Sequence, residues 1–138
     1  MTNHTPETCN VLGDNITLQL TAEQTNGTYS VVEFATPGGV GQPPHTHDWN
    51  ETYLVLEGEL ELQIDGQSTV IGTGDSYQVK AGTVHAPTPK GDFCRYVMVG
   101  EPGGVEAVFK SLKAHQDDLG DMAKVVEIVS QEGVKIAA

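Results

Sequence analysis

The sequence predicts an all-β fold, an antiparallel β-sandwich or β-barrel that is followed by two short C-terminal helices. Three observations support this prediction. Short segments of alternating apolar and polar residues follow one another over residues 11–99, with glycine, asparagine, aspartate and proline between them. The spacing of apolar residues then becomes helical. The chain has 138 residues, a length typical of one domain with its own core.

We therefore expect a single domain over residues 1–138 with three parts. Residues 1–10 are polar and are expected to form a loosely held N-terminal arm. Residues 11–99 are expected to form the barrel, and residues 103–132 the helical tail.

The composition is acidic, with 7 basic and 19 acidic residues and a formal net charge of −12. Such a chain repels nucleic acid phosphates and anionic membranes, so neither is an expected partner. No apolar run approaches membrane-spanning length, and the N-terminal residues lack the pattern of a secretion signal. Cys9 and Cys94 show no CxxC spacing, and Cys94 is expected to be a small buried apolar residue. The expected compartment is the cytoplasm.

The first two strands are predicted from alternation and residue type. In residues 15–21 three aliphatic side chains alternate with polar ones, and residues 29–36 are rich in β-branched and aromatic side chains. The Gly/Pro-rich segment 37–44 follows. Its glycines suggest a phosphate-binding loop, but no helix pattern and no Lys-Ser/Thr pair follow them. A barrel loop is therefore the better prediction.

The middle of the chain is predicted as a run of short strands. Gly58 is expected to end one of them, and Asp65-Gly66 is a strong signal for a two-residue hairpin turn. Pro87 and Pro89 are expected to interrupt the extended segment that begins at residue 85. The other predicted strands are 51–56, 60–64, 68–71, 76–79 and 93–99.

The tail is predicted to form two amphipathic helices, because apolar residues recur there at positions i, i+3, i+4 and i+7. We expect both helices to cap or flank the barrel with these apolar faces. The two apolar sets are Val105, Val108, Phe109 and Leu112, and Met122, Val125, Val126 and Val129.

Two histidines with one residue between them, His45 and His47, indicate a metal site. Residues two apart in a strand point to the same face, and Glu51 keeps that parity if the strand is regular. A further ligand has to come from another strand, and His85 is the natural candidate. Three imidazoles and one carboxylate favour one divalent transition metal ion per chain over Ca²⁺ or Mg²⁺. Fe, Mn, Ni, Co, Cu and Zn all remain open.

The spacing around these residues resembles the first sequence motif of the cupin superfamily. That motif reads Gly39-x5-His45-x-His47-x3-Glu51-x6-Gly58 here, and every fixed position and gap matches. The resemblance implies the double-stranded β-helix fold of cupins and one metal centre.

A second cupin motif is partly matched by Gly74-x5-Lys80-x-Gly82-x2-His85-x3-Pro89. Both glycines and the histidine agree with the family pattern. Lys80 replaces a proline and Pro89 replaces an asparagine, and neither position is a ligand. The resemblance therefore supports His85 as a ligand, while the two differences affect the turn and the strand around it.

The helical tail is similar to that of small single-domain cupins of the quercetin-dioxygenase-like group. This resemblance implies a metal-dependent dioxygenase that acts on a small aromatic or enol-type, flavonol-like substrate. Glu51 is then a metal ligand, the catalytic base, or both. Tyr53 shares the parity of Glu51 and is a candidate for the substrate pocket, with an ordinary core position as the favoured alternative.

Two other functions stay open. The chain is also compatible with a metal-dependent isomerase or cyclase that uses no O2, or with a non-catalytic cupin that binds or stores a small ligand. The resemblance further implies a homodimer that pairs through sheet faces or an exchanged N-terminal strand. Leu54 and Leu56 would suit such an outer face, unless they pack under the helical tail.

Overall fold

The computed structural model describes residues 5–137. This part of the chain forms eight strands, then two helices, then a ninth strand. The strands are β1 (Glu7–Val11), β2 (Asp14–Leu20), β3 (Ser30–Pro37), β4 (His45–Thr46), β5 (Asn50–Ile64), β6 (Gln67–Gly72), β7 (Ser76–Val79), β8 (His85–Glu101) and β9 (Lys135–Ile136). The helices are α1 (Glu106–Ala114) and α2 (Met122–Gln131), joined through a 3₁₀ turn at Gln116–Asp118.

All strand pairs are antiparallel, and one hydrogen-bonded path runs β1-β2-β3-β8-β4-β9. The long strand β5 pairs with β8 and also with β6 and β7. The path does not return to its first strand, so the predicted barrel is an open, jelly-roll-like sandwich. The all-β class and the two C-terminal helices are confirmed.

Gly58 was expected to end a strand. This prediction is wrong, because β5 continues through it. Its pairing with β8 instead shifts register on both sides of Glu57. Gly58 has a φ of +88°, and a Cβ at this position would lie 2.5 Å from the carbonyl oxygen of Phe93. The glycine therefore permits a β-bulge that bends a continuous strand. The neighbouring hairpin prediction is confirmed, since Ile64 pairs with Gln67 across Asp65-Gly66.

The expectation of a loose arm over residues 1–10 is wrong for its second half. Strand β1 pairs with β2 from Glu7 to Val11, and its inward side chains Cys9 and Val11 are buried. From the tail, Lys113 donates a hydrogen bond of 2.8 Å to the carbonyl oxygen of Thr8. Residues 1–4 lie outside the described part of the chain. The burial of these two side chains and the hydrogen bond from α1 hold this segment in place, although its composition is polar.

Both helices cover one end of the sandwich, as predicted. Helix α1 presents Val108, Phe109 and Leu112 to the core, and it also contacts β1. In α2 the buried residues are Val125, Ile128 and Val129, whereas Met122 is 61% exposed. Val125 and Val129 of the predicted stripe are therefore buried, whereas Ile128 takes the inward position that was predicted for Met122 and Val126. Within the described residues, neither helix is long and apolar enough to cross a membrane.

The core below the helices is closed by aromatic packing. Phe34 on β3 stacks on Tyr96 on β8 with ring centroids 4.8 Å apart, and Phe109 of α1 meets Phe34 edge-on at 5.6 Å. Burying a side chain of this size contributes about 1.5–3 kcal/mol. These rings join the helical cover to the centre of the sheet.

Candidate metal centre

The strand pairing brings His45, His47 and His85 together. His45 on β4 is the direct partner of His85, the first residue of β8. His45 also pairs with Ile136 on β9, so its strand is held from both sides. His47 follows β4 with the same parity as His45. The three side chains are buried, and their ligating nitrogens lie within 4.8 Å of one another.

Each of these histidines uses its Nδ1 atom in a hydrogen bond to a main-chain carbonyl. The partners are Pro43 O for His45 at 2.8 Å, Trp49 O for His47 at 3.0 Å and Thr83 O for His85 at 2.8 Å. A carbonyl oxygen only accepts, so Nδ1 carries the proton in each ring. The lone pair is therefore on Nε2, the atom available to a metal ion.

Glu51 stands beside this group. Its Oε2 lies 3.1 Å from His47 Nε2, and its Oε1 lies 3.3 Å from His85 Nε2. Two donors hold the carboxylate from the other side. Trp49 Nε1 donates to Oε2 at 2.9 Å, and the Tyr53 hydroxyl donates to Oε1 at 2.7 Å.

The donor set fits a cation. With its proton on Nδ1, His47 presents a lone pair to the Glu51 carboxylate, and its buried Nε2 has no hydrogen-bond partner among the described residues. Acceptors that face each other at this distance repel unless a positive charge lies between them. A metal ion among the three Nε2 atoms satisfies all of these groups at once.

The protonation states agree with this use. Burial, followed by the neighbouring His85, lowers the pKa of His45 to about 4, so its ring is neutral at physiological pH. For Glu51, burial alone raises the pKa, but hydrogen bonds from the His47 and His85 rings outweigh it when a proton, in place of a metal ion, lies on Nε2. The net pKa of Glu51 is well below its usual range, and the carboxylate is ionised.

Trp49 also belongs to the centre, although it was not predicted as a site residue. Its ring stacks on His47 with centroids 4.1 Å apart and an angle of 5°. Together with its hydrogen bond to Glu51, this contact fixes two of the functional side chains. The parity that joins His47, Glu51 and Tyr53 also includes Trp49, and this signal could have identified it.

Tyr53 lies on the same face of β5 as Glu51, as its parity predicted. Its hydroxyl already donates a hydrogen bond to Glu51. Burial, followed by the charge of Glu51, raises the pKa of Tyr53 well above its usual value, so the hydroxyl keeps its proton. Tyr53 is therefore both a buried core residue and a support for the carboxylate.

The departures from the second motif leave the ligand geometry intact. Gly82 has a φ of +83° and donates its N–H to the carbonyl oxygen of His47 at 2.9 Å, which ties the turn before His85 to the other ligand segment. Lys80 is exposed at the start of this turn. Pro89 lies within β8 opposite Leu60 and does not interrupt the strand.

A cavity of about 120 Å³ begins at this centre and extends below the helices. At one end it is lined by His45, His47 and Glu51, and elsewhere mainly by aliphatic and aromatic side chains. Leu12, which is 48% exposed, lies at its rim. The arrangement offers a charged, hydrogen-bonded centre at the end of an apolar chamber.

Residues 31–100, half of the chain, match the cupin domain family. The chain belongs to the cupin family. Quercetin 2,3-dioxygenase from Bacillus subtilis (strain 168) is 32% identical over 102 residues, which cover 72% of this chain and 30% of that enzyme. The match therefore spans less than a third of the relative's length.

Solved structures agree on the cupin fold. An RmlC-like cupin from Shewanella frigidimarina superposes with a TM-score of 0.65 at 19% identity, over 77% of this chain and 92% of the other. The polyketide cyclase RemF from Streptomyces resistomycificus gives a TM-score of 0.63 at 21% identity, over 73% and 80%. Identities this low establish the fold alone.

Proposed function

We propose that this cupin is a metal-dependent dioxygenase that acts on a small aromatic or enol-type, flavonol-like substrate. The observation that carries the proposal is the convergence of three Nε2 lone pairs and the Glu51 carboxylate at the inner end of an apolar cavity. The sequence similarity to a quercetin 2,3-dioxygenase supports the choice of reaction.

In this proposal His45, His47 and His85 hold one divalent transition metal ion, with Glu51 as the fourth ligand. When bound, the metal ion supplies Lewis acidity and a route for electrons between the substrate and O2. The Nδ1 hydrogen bonds of the three histidines orient the rings and keep the Nε2 lone pairs free for it.

Glu51 is the proposed base. Its carboxylate is ionised and can accept the proton of an enol or phenol hydroxyl that enters the cavity. Trp49 and Tyr53 hold one oxygen each, so the carboxylate keeps its orientation while it accepts that proton. The apolar walls exclude water, which strengthens the electrostatic interactions around the base.

The cavity volume limits the size of the substrate part that can enter. About 120 Å³ is close to the size of an apolar cavity that holds one benzene ring. We therefore expect one hydroxy-ketone or dihydroxy ring to occupy the cavity, with any further ring at the mouth beside Leu12.

The test starts with protein purified without a histidine tag and loaded in turn with Fe, Mn, Ni, Co, Cu or Zn. We expect metal binding in the wild type, its loss in His47→Ala, and O2 uptake with flavonols, diketones or dihydroxyaromatics for at least one redox-active metal. A dioxygenase takes its electrons from the substrate, so no reductant is added. Metal retention in His47→Ala contradicts the proposed centre, and absence of O2 uptake with every metal and substrate contradicts the proposed reaction.

A second candidate is a metal-dependent isomerase or cyclase. The supported carboxylate favours it, because proton abstraction by Glu51 needs no redox step. Product formation under strictly anaerobic conditions distinguishes this candidate from the dioxygenase. Zn bound by four protein ligands with no position open to substrate would favour the storage or binding function instead.

We also propose that the protein forms a homodimer through the outer face of the sheet. Leu54 is 38% exposed and lies opposite Val97 on β8, and Val31 lies opposite Val99 on the same face. Leu54 is not covered by the helices, which leaves it free for a second copy. Sedimentation of the wild type and of Leu54→Lys tests this, with a dimer and a monomer as the expected results.

For the compartment we propose the reducing cytoplasm. Cys9 and Cys94 are both free and buried. Free thiols suit a reducing environment. Detection of the native protein in the cytoplasmic fraction of its own cell tests this proposal.

A further inference from the structure

A carboxyl group lines the cavity away from the metal centre. Asp14 begins β2, directly after the turn that closes the β1–β2 hairpin. Its side chain is on the same inward face of β2 as Ile16 and Leu18 and is 8% exposed. An apolar side chain would be expected at such a position. In the sheet path, β3 and β8 lie between its strand and β4. Asp14 and the histidines therefore approach the same cavity from different walls.

Among the described residues, hydrogen bonds reach one oxygen of this carboxyl group. Thr36 Oγ1 donates to Asp14 Oδ1 at 2.7 Å, and the N–H of Asn15 donates to the same oxygen at 2.8 Å. Oδ2 receives no hydrogen bond from residues 5–137. Oδ2 is not a fully buried orphan, and Asp14 lines the cavity, so this oxygen is open to a donor from a ligand there.

We propose that Asp14 is a specificity-determining residue that binds a second hydroxyl group of the substrate, at the opposite side of the ring from the group that meets the metal centre. This inference rests on the proposed function, since it takes the occupant of the cavity to be a hydroxy-ketone ring. The cavity holds about one ring, so a ring in contact with Glu51 brings its far substituent towards Asp14. A substrate that carries a hydroxyl there is preferred over one that carries a methyl group.

A purely structural role for Asp14 is the alternative. Its hydrogen bond to Thr36 joins the β1–β2 hairpin to β3, and this link needs Oδ1 only. The two roles differ in what they predict for ligands. A structural role affects all ligands alike, whereas the proposed role discriminates between ligands that differ by one hydroxyl.

The test uses kojic acid and allomaltol, two single-ring hydroxy-ketones that differ by a hydroxymethyl against a methyl group. Binding to the zinc-loaded protein is measured by calorimetry, because zinc permits binding without redox turnover. We expect the wild type to bind kojic acid about tenfold more tightly, the factor that one hydrogen bond to a charged group gives.

Two variants separate the roles. Thr36→Val removes the link to β3 and should keep the preference for kojic acid. Asp14→Leu combined with Thr36→Val replaces both side chains by apolar groups of similar shape and leaves only the Asn15 N–H without this acceptor, so its melting temperature should lie slightly below that of Thr36→Val. It should lose the preference while it binds allomaltol within about twofold of the wild type. If leucine does not pack, Asp14→Ala with Thr36→Val gives the same comparison.

The outcomes distinguish this inference from the proposed function. If the wild type binds allomaltol but shows no preference, or if the double variant keeps the preference, Asp14 is not the specificity residue and the proposed function is unaffected. An equal weakening of both ligands in the double variant assigns Asp14 a structural role and overturns the inference. If neither compound binds the zinc-loaded wild type, the hydroxy-ketone site itself is wrong, and the role of Asp14 falls with it.

Discussion

The cavity has two ends that are built by different forces. At the histidine end (His45, His47, Glu51 and His85), every functional side chain is held by a directed hydrogen bond. At the helical end (the inner faces of α1, α2, β1 and β2), aliphatic and aromatic side chains are held mainly by burial. Directed bonds fix the chemistry, and non-directional packing fixes the size of the chamber. Substitutions at the two ends should therefore affect different measurements.

The largest effect is expected at the histidine end. His85→Ala removes one of the three proposed ligands and should lower metal affinity by more than about 1000-fold, well beyond the cost of losing an outer hydrogen-bond partner. Competition with a chelator measures the affinity. His115→Ala is the matched control, because His115 is exposed and only bonds the carbonyl oxygen of Ser111. A His85→Ala protein with near-normal affinity would remove His85 from the centre.

At the helical end, Phe109→Ala should lower the free energy of unfolding by about 3 kcal/mol, because it opens a hole beside Phe34. Metal affinity should be unchanged. Urea unfolding of the metal-free protein measures the first quantity, with exposed Met122→Ala as a control that should unfold like the wild type. If Phe109→Ala releases the metal instead, the two ends are not separable in the way described.

A smaller effect is expected where the histidine end depends on its outer partners. Trp49→Phe keeps an aromatic ring against His47 but removes the Nε1 donor to Glu51. Turnover and metal affinity should each fall by about tenfold. Tyr53→Phe removes the donor to the other oxygen and should behave similarly. Unchanged values in both variants would show that the orientation of Glu51 does not depend on these bonds.

The smallest effect is expected in the rates at which the two buried thiols react. Burial raises the pKa of Cys94 to about 11, and burial followed by the charge of Glu7 raises that of Cys9. Neither thiol should react quickly with a thiol reagent in the native state near pH 8. Cys9 lies on β1, which is the first strand of the hydrogen-bonded path in residues 5–137, and should be labelled first because edge strands open locally at lower cost. Peptide mapping after timed labelling measures the order, and faster labelling of Cys94 would contradict it.

The difference between local and long-range interactions explains which parts of the structure can be predicted from the sequence. His45 and His47 are predictable because strand parity is a local property, and Glu51 and Tyr53 follow from it. Trp49 shares that parity as well, so the same local signal applies to it. For these residues the sequence contains the signal.

Other elements depend on partners far away in the chain. Strand β1 is polar in composition and forms because two of its side chains fit under α1, and β9 has only two residues, Lys135–Ile136. Their formation depends on surfaces that exist only after the rest has folded. Asp14 was missed for the same reason, since its hydrogen bond to Thr36 depends on the pairing of β2 with β3.

The pairing of β9 with β4 has a consequence for the order of assembly. His45 is flanked by His85 on one side and by Ile136 on the other, and the second contact forms only after both helices have crossed the cavity. Contacts between residues so distant in the chain carry a loop-closure cost. We therefore expect β9 to dock on β4 late in folding, and the strand that carries His45 to be held from both sides only after that.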